Sequence, residues 1–246
     1  MLSGRLNSKL VLVTGASRGI GRAIAYGCAD AGATVLCVAR SARDLAQTVA
    51  DITSAGGRAA AYACDVTDVV RVSAVFSQVR AEYGGVDIAM LNAGVGDEPT
   101  ELEASDPQRW TEVVATNLFG AYYCARAAIP LLKMRGGGRI VMVGSGLGHH
   151  GHVTHSAYSV SKAGLWMLVR VLADEVAQHH ISVNELIPGP VLTHMTRPAT
   201  DPSSVFSIES EWVKQPEDVV PLALFLATQP EPGPTGQSFS LMRRTR

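Results

Sequence analysis

The stretch "KLVLVTGASRGIG", residues 9–21, decides the fold. Its first half is a short, nearly continuous apolar run, the pattern of a strand covered on both faces. Its second half is a glycine-rich turn that continues into "RAIAYGCADAG", a segment typical of a helix. Glycines let backbone N–H groups approach a pyrophosphate, and a helix N-terminus favours negative charge. The start of the chain therefore predicts a nucleotide-binding βαβ unit.

Apolar runs of strand length alternate with helical segments along the rest of the chain. The predicted strands span residues 9–14, 34–39, 58–64, 86–91, 139–144, 181–187 and 237–241. This alternation implies right-handed crossovers and a parallel sheet. We expect an α/β protein with one Rossmann-type, doubly wound sheet of about seven strands and helices on both faces, in a single domain over residues 1–246. Residues 194–212 break the alternation and are interpreted as a substrate lid.

Two long helices are predicted at roughly 107–134 and 156–178. Asp106 and Pro107 mark the start of the first, as N-cap and first helical residue. Glycines at 136–138 mark its end.

Composition excludes several classes of partner. The chain has 246 residues, of which 47% are hydrophobic, and a formal net charge of -1, so neither nucleic acid nor a membrane surface is indicated. No apolar run reaches membrane-span length and no secretory pattern opens the chain, so we expect a cytoplasmic protein. Four cysteines without metal-type or redox-type spacing predict buried free thiols.

The residues that follow each strand predict a dinucleotide site, because ligands of such sheets bind at the carboxyl ends of the strands. Arg40 stands after the second strand where an acid would select NAD, and Arg18 lies in the glycine loop. Two guanidiniums suit a 2′-phosphate, which favours NADPH over NADH, although Arg40 could instead simply solvate the strand end. Asp65 could accept from the adenine amino group, and Asn92 to Gly94 would let the backbone pass close to the cofactor.

The motifs together resemble those of the classical short-chain dehydrogenase/reductase family, over about residues 8–240. The matching elements are "TGASRGIG" (14–21), "DV" (65–66), "NAG" (92–94), Asn117, Ser145, "YSVSK" (158–162) and "PGPVLT" (188–193). Within the family, the chain looks most like the 3-oxoacyl-carrier-protein reductase-like branch. The resemblance implies a catalytic tetrad of Asn117, Ser145, Tyr158 and Lys162.

The resemblance also implies that "PGPVLT" closes over the nicotinamide and that Lys162 binds the ribose hydroxyls beside it. A plain strand-ending turn is the alternative interpretation of the two prolines. The predicted cofactor-binding residues are Gly15, Ser17, Arg18, Gly19, Ile20, Gly21, Arg40, Asp65, Val66, Asn92, Ala93, Gly94, Tyr158, Lys162, Pro188, Gly189, Val191 and Thr193.

Tyr158 and Lys162 lie one helical turn apart. This spacing alone does not decide whether the pair is catalytic or is only two neighbours on a solvated helix face. A ketone accepts hydride when its oxygen is stabilised and a proton is delivered. Tyrosine titrates near about 10, so a nearby cation that stabilises the phenolate makes Tyr158 a suitable proton donor. Ser145 could hydrogen-bond the carbonyl. Asn117 is interpreted either as a helix distortion or, by resemblance, as the residue that holds a proton-relaying water for Lys162.

Two features depart from this pattern. Four histidines, at 149, 150, 152 and 155, fall between Ser145 and Tyr158, but their spacing fits no standard zinc site and we predict no metal. They are expected to line the substrate pocket, with a merely exposed loop as the alternative. The chain ends in the basic "SLMRRTR", which is interpreted as a solvated tail or a site for an acidic substrate.

The leading hypothesis is an NADPH-dependent reductase of a ketone, either a 3-oxoacyl thioester or a similar small-molecule carbonyl. The alternatives are an alcohol, steroid or sugar dehydrogenase and, from another class, a non-catalytic nucleotide-binding regulator. The family resemblance implies subunit contacts through the two long helices, so a homotetramer is expected, with a dimer as the alternative.

Overall fold

The computed structural model describes residues 4–96, 99–196 and 212–242. Seven strands form one sheet. They are β1 (Leu10–Thr14), β2 (Thr34–Ala39), β3 (Arg58–Ala63), β4 (Ile88–Leu91), β5 (Gly138–Val143), β6 (Ile181–Ile187) and β7 (Ser238–Ser240).

The sheet has the strand order β3-β2-β1-β4-β5-β6-β7, and every neighbouring pair is parallel. The chain winds outward in one direction from β1 to β3 and then in the other from β4 to β7. The order reverses between β1 and β4, and a crevice opens at such a switch point above the carboxyl ends of the strands. The prediction of a parallel, doubly wound sheet of seven strands is confirmed.

The described residues form seven α-helices around the sheet. They are α1 (Gly19–Asp30), α2 (Ala42–Ser54), α3 (Val69–Tyr83), α4 (Pro107–Val114), α5 (Gly120–Met134), α6 (Ser156–Val176) and α7 (Val220–Ala227). Buried residues of α1, α2 and α7 belong to the apolar core on one face, and those of α3, α5 and α6 belong to the core on the other. Among the described residues, no helix is both long and apolar enough to cross a membrane.

Strand β1 shows why its sequence is almost continuously apolar. Leu12 packs into the core beneath α3, α5 and α6, while Val11 and Val13 pack into the core beneath α1, α2 and α7. All three side chains are fully buried. Because successive strand residues point to opposite faces, a central strand with helices on both sides needs an apolar residue at every position.

The predicted strand boundaries are right to within two residues. The largest difference is at β4, which begins at Ile88 and not at residue 86. Asp87, just before it, is a polar junction: its carboxylate accepts from the backbone N–H of Leu10 at 2.9 Å and pairs with Lys9 and Arg135. These interactions tie the amino ends of β1 and β4 to the end of α5.

The helix predicted at 107–134 is interrupted. It begins as expected, with the side chain of Asp106 accepting from the N–H of Gln108 at 3.0 Å and Pro107 in first position. A π-helical segment, Ala115–Phe119, then separates α4 from α5. Of the two interpretations of Asn117, the structure shows the helix distortion at that residue.

The four cysteines, Cys28, Cys37, Cys64 and Cys124, are all buried free thiols, as predicted. Burial raises the pKa of Cys28 and of Cys37 to about 12, so these thiols stay protonated at neutral pH.

Candidate active site

The glycine loop after β1 leaves no room for side chains at two positions. A Cβ on Gly21 would lie 2.4 Å from both Asn92 Nδ2 and the carbonyl oxygen of Gly15. A Cβ on Gly15, whose φ is +70°, would lie 2.7 Å from the same Asn92 nitrogen. The backbone of the loop therefore packs directly on the end of β4. The loop leads directly into the N-terminus of α1, and a helix N-terminus that follows a glycine loop is suited to a pyrophosphate; we call this loop and helix start the glycine cradle.

Thr14 fixes the loop to β4, although the sequence did not single it out. Its buried Oγ1 accepts from the backbone N–H groups of Asn92 at 3.0 Å and Ala93 at 3.1 Å. The Asn92 amide returns a hydrogen bond to the carbonyl oxygen of Thr14 at 3.2 Å. A threonine among apolar residues at the end of a strand was the available signal.

The ends of β2 and β3 carry the predicted selector of the cofactor. Arg40 is exposed, and its Nη1 lies 3.9 Å from Asp65 Oδ2. The other oxygen of Asp65 accepts from the backbone and hydroxyl of Thr67 at 2.9 and 2.8 Å. Arg18 is also exposed, at the start of α1. The edge of the sheet therefore offers two guanidiniums to an anion, with one carboxylate beside Arg40.

The side chain of Asn117 holds the loop after β4 by hydrogen bonds. Its Oδ1 accepts from Val95 N at 2.8 Å, and its Nδ2 donates to Val95 O at 2.9 Å and to Ser161 Oγ at 3.1 Å. A Cβ on Gly94 would lie 3.1 Å from Asn117 Oδ1 and 3.8 Å from Lys162 Nζ. The π-helical segment, the loop after β4 and α6 thus meet at one point of the crevice.

Tyr158 and Lys162 share a face of α6, with the Lys162 Nζ 5.7 Å from the centre of the tyrosine ring. Lys162 is 5% exposed, and its Nζ donates to the carbonyl oxygen of Val143, at the end of β5, at 2.8 Å. Burial lowers the pKa of this ammonium to about 8, and the charge of Glu185 acts in the opposite direction. A group that titrates near neutral pH next to a phenol is suited to proton transfer.

Ser145 lies two residues after the last residue of β5 and precedes a 3-10 turn, Gly146–Gly148. Its Oγ caps this turn by accepting from the N–H of Leu147 at 3.2 Å. The hydroxyl hydrogen is left to donate to another acceptor, such as a carbonyl oxygen.

The structure separates the histidines into two environments. His149 turns inward and its Nε2 lies 2.9 Å from Glu185 Oε2. The ring centroids of His152 and His155 lie 5.1 Å apart. The Nδ1 atom of each ring lies close to the carbonyl oxygen of Val153, in the same loop. Within residues 4–96, 99–196 and 212–242, no three histidine, cysteine or acidic side chains are grouped as a metal site would require.

The "PGPVLT" loop after β6 crosses towards the glycine loop. A Cβ on Gly19 would lie 3.4 Å from Thr193 Cγ2, so the two loops are in contact. Val191 forms an isolated bridge with Lys214, which is fully buried. Of the predicted lid, only 194–196 and 212 are described; the rest lies outside the described residues, as does the basic tail 243–246.

Sequence reasoning also missed Glu185 and Met242. Glu185 lies wholly buried in β6, and a carboxylate inside a predicted central strand was the signal. Met242 follows β7 and lies where a Cβ on Gly146 or Gly189 would contact it, at 2.4 and 3.0 Å. The C-terminal segment thus reaches the turn after Ser145, which no local sequence pattern indicated.

Comparison with known proteins identifies the class of protein to which this fold and site belong. The profile of the short chain dehydrogenase family matches residues 9–203. The chain belongs to the short-chain dehydrogenase/reductase family, as the sequence motifs predicted.

Individual relatives place the chain more narrowly. It is 38% identical over 193 residues to the 3-oxoacyl-[acyl-carrier-protein] reductase FabG of Escherichia coli, covering 78% of each chain, and falls in the branch that resembles this reductase. It is 35% identical over 195 residues to a 3beta-hydroxysteroid dehydrogenase of Mediterraneibacter gnavus, covering 79% of this chain and 70% of the relative.

A solved structure similar to this chain is that of a putative NAD(P) dependent gluconate 5-dehydrogenase from Beutenbergia cavernae, described with NADP bound at low occupancy. It has a TM-score of 0.90 at 34% identity and covers 97% of this chain and 96% of the other. The chain is accordingly an oxidoreductase of a family that acts on CH–OH or C=O groups and binds NAD(P).

Proposed function

We propose that the protein is an NADPH-dependent reductase that converts a ketone, a 3-oxoacyl thioester or a similar carbonyl, into a secondary alcohol. The observation that carries the proposal is the buried Lys162 beside Tyr158, at the sheet edge that also bears the glycine cradle. A buried cation next to a phenol helps the phenol to give up its proton, because the cation stabilises the phenolate that remains. The bound cofactor would supply the hydride.

In this proposal Tyr158 donates a proton to the carbonyl oxygen as negative charge develops there. Lys162, whose Nζ lies 5.7 Å from the centre of the tyrosine ring, stabilises the phenolate that remains. Ser145 donates a hydrogen bond to the same oxygen and holds it against the phenol. With a pKa of about 8, Lys162 is mostly protonated at neutral pH and can pass a proton onward.

Asn117 enters the proposal chiefly as a positioning residue. Both N–H bonds of its amide are directed to partners, Val95 O and Ser161 Oγ, and one lone pair of Oδ1 is taken by Val95 N. One acceptor position therefore remains for a relaying water. The more definite task of Asn117 is to hold the loop after β4 against α6.

The cofactor would lie across the glycine cradle, with its adenosine end towards Arg18 and Arg40. Both guanidiniums are exposed and can turn towards a 2′-phosphate. The negative charge of Asp65 disfavours a phosphate close by. However, Arg40 Nη1 lies 3.9 Å from Asp65 Oδ2, and a phosphate can replace the carboxylate in so loose an ion pair. The similar structure of a putative NAD(P) dependent gluconate 5-dehydrogenase, described with NADP bound, supports the same preference.

A dehydrogenase that oxidises an alcohol, steroid or sugar is the second candidate. Relatives named as a 3beta-hydroxysteroid dehydrogenase and a putative gluconate 5-dehydrogenase favour it. The same proton path serves both directions, because a base that accepts the alcohol proton is the conjugate of the acid that protonates the ketone.

We also propose that the protein is a cytoplasmic homotetramer. Val160, Met167 and Val171 are each about half exposed on α6, at spacings that place them on one side of the helix. An apolar stripe of this kind is costly in water and is suited to contact with another subunit. Light scattering that gives the mass of one or two chains would contradict the tetramer.

The proposal is tested by following NADPH absorbance with 3-oxoacyl thioesters, steroids, sugars and small diketones side by side. The wild type should reduce at least one ketone, and Tyr158→Phe should lower kcat by roughly 10²–10⁴-fold while the variant still binds NADPH. Tyr122→Phe, at an exposed tyrosine of α5, is the matched control and should keep full activity.

Binding of NADPH without turnover of any compound, together with no effect of Tyr158→Phe, would support a non-catalytic regulator instead. Oxidation of alcohols by NADP⁺ without reduction of any ketone at neutral pH would support the dehydrogenase.

A further inference from the structure

A carboxylate is buried behind the candidate active site. Glu185 is completely inaccessible in the middle of β6, on the face of the sheet that packs against α6. Its Oε2 accepts a hydrogen bond from Ser238 of β7 and lies 2.9 Å from His149 Nε2. Its Oε1 is buried and has no hydrogen-bond partner among the described residues. A buried carboxylate oxygen that lacks a hydrogen-bond partner is costly to stability, so the presence of Glu185 here calls for a function.

Glu185 contacts the residue immediately before Ser145. A Cβ on Gly144 would lie 1.9 Å from Glu185 Oε1, so the carboxyl group occupies the space that a side chain at 144 would take. Any movement of Glu185 is therefore transmitted to the backbone that carries Ser145.

The partner of Glu185 holds the other side of the same turn. His149 ends the 3-10 turn that Ser145 begins, and its backbone N–H donates to Gly146 O at 3.0 Å. A Cβ on Gly148 would lie 2.7 Å from the backbone carbonyl of Lys162, so the turn packs directly on α6. Ser145 is thus held between two points, Gly144 and His149, that are both fixed by Glu185.

We propose that Glu185 and His149 form a positioning pair, which fixes the turn that bears Ser145 and places a carboxyl group in the buried layer between the sheet and α6. The inference rests on the proposed function, because Ser145 and Lys162 are the groups through which the pair would act. Glu185 and His149 touch neither reacting atom in this scheme, and their contribution is to geometry and to the charge of the site.

Several charged or titratable groups surround the pair. Lys162, on α6, is close enough for the charge of Glu185 to act on it. The ring of His149 packs edge-on against Trp166 of α6, with centroids 5.1 Å apart. Arg170, one turn further along α6, lies over the Trp166 ring, with its Cζ 4.2 Å from the ring centroid. Strand β7 contributes the uncharged hydroxyl of Ser238. Burial lowers the pKa of the Lys162 ammonium, and the charge of Glu185 acts in the opposite direction by raising it.

The experiment compares Glu185→Gln with wild type, because glutamine keeps the packing against Gly144 and removes the charge. We expect kcat for ketone reduction to fall on the order of tenfold, with the Kd for NADPH within twofold. The alkaline limb of the kcat profile should move to lower pH, because Lys162 loses the charge that helps to retain its proton. A structural defect alone would leave that limb in place.

A second variant keeps the test decisive if Glu185→Gln folds poorly. His149→Gln removes the imidazole that contacts Glu185, at the less buried partner of the pair, and leaves the carboxylate in place. We therefore expect kcat to fall, while the alkaline limb of the kcat profile moves less than in Glu185→Gln. The double variant, in which two amides can pair, should recover part of the kcat lost in the single variants but not the position of the limb. Glu175→Gln, at an exposed carboxylate of α6, is the matched control and should match wild type.

The outcomes separate this inference from the proposed function. A wild type that is active, with Glu185→Gln and His149→Gln both within twofold in kcat and an unmoved alkaline limb, overturns the positioning pair alone. A wild type that binds NADPH and reduces none of the ketones overturns the proposed function and, with it, the role of the pair.

Discussion

Replacing Lys162 with methionine should abolish the proposed reduction and stabilise the cofactor-free protein at neutral pH. Burial lowers the pKa of this lysine from 10.5 to about 8, despite the opposing charge of Glu185. The shift corresponds to about 3 kcal/mol by which the folded chain disfavours the ammonium. Methionine is of similar length but loses the hydrogen bond from Nζ to Val143 O, a loss of about 1–2 kcal/mol. The expected net gain is about 1–2 kcal/mol, or a few degrees in Tm.

The pH dependence of this difference follows from the sign of the shift. The folded pKa of Lys162 lies below its value in the unfolded chain, so between about pH 8 and 10.5 the unfolded state binds more protons. The stability contribution of wild-type Lys162 therefore rises with pH across this window, by about 2 kcal/mol between pH 7 and pH 9.5. Methionine does not titrate, so its advantage over lysine should shrink or vanish at pH 9.5.

The assay is thermal or urea unfolding of wild type and Lys162→Met, without cofactor, at pH 7 and pH 9.5. Lys133→Met, at an exposed position of α5, is the control and should differ little from wild type at either pH. The reasoning would be refuted if Lys162→Met melted below wild type at pH 7. It would also be refuted if the difference between the two proteins were the same at both pH values.

Three further predictions concern the cofactor cradle and the loop after β4. Arg40→Ala should lower the ratio of kcat/KM for NADPH over NADH by about tenfold; use of both cofactors by wild type with an unchanged ratio in the variant would contradict the role of Arg40. Gly21→Ala should weaken NADPH binding by at least about tenfold in calorimetry, because its Cβ would lie 2.4 Å from a backbone oxygen; Gly151→Ala, where a Cβ meets nothing within 4 Å, should bind normally. Asn117→Ala should reduce the free energy of unfolding in urea by about 1–3 kcal/mol, because the partly buried backbone N–H and carbonyl groups of Val95 lose their hydrogen bonds to the amide; an unchanged midpoint would show that water replaces the amide.

The architecture and most of the candidate site were open to prediction because their signals are local. Strand β1 must be apolar at every position when helices cover both faces, and the glycine loop must follow it at once to reach the start of α1. Tyr158 and Lys162 are four residues apart on one helix, and this spacing predicts that their side chains lie close together. A distortion was one of the two interpretations of Asn117, because asparagine is a poor residue for the middle of a helix.

The sequence by itself thus determined the sheet, the position of the glycine loop and the pairing of phenol with ammonium. Only the tertiary structure decided what surrounds that pairing: the contact of Asn117 with Val95, the loose Arg40–Asp65 pair, and the burial of Glu185 against His149, which is 36 residues away. Such contacts join segments that are brought together by strand order and helix packing, and no local periodicity encodes them. The charge state of Lys162 depends on the same packing, because exclusion of water is what lowers its pKa.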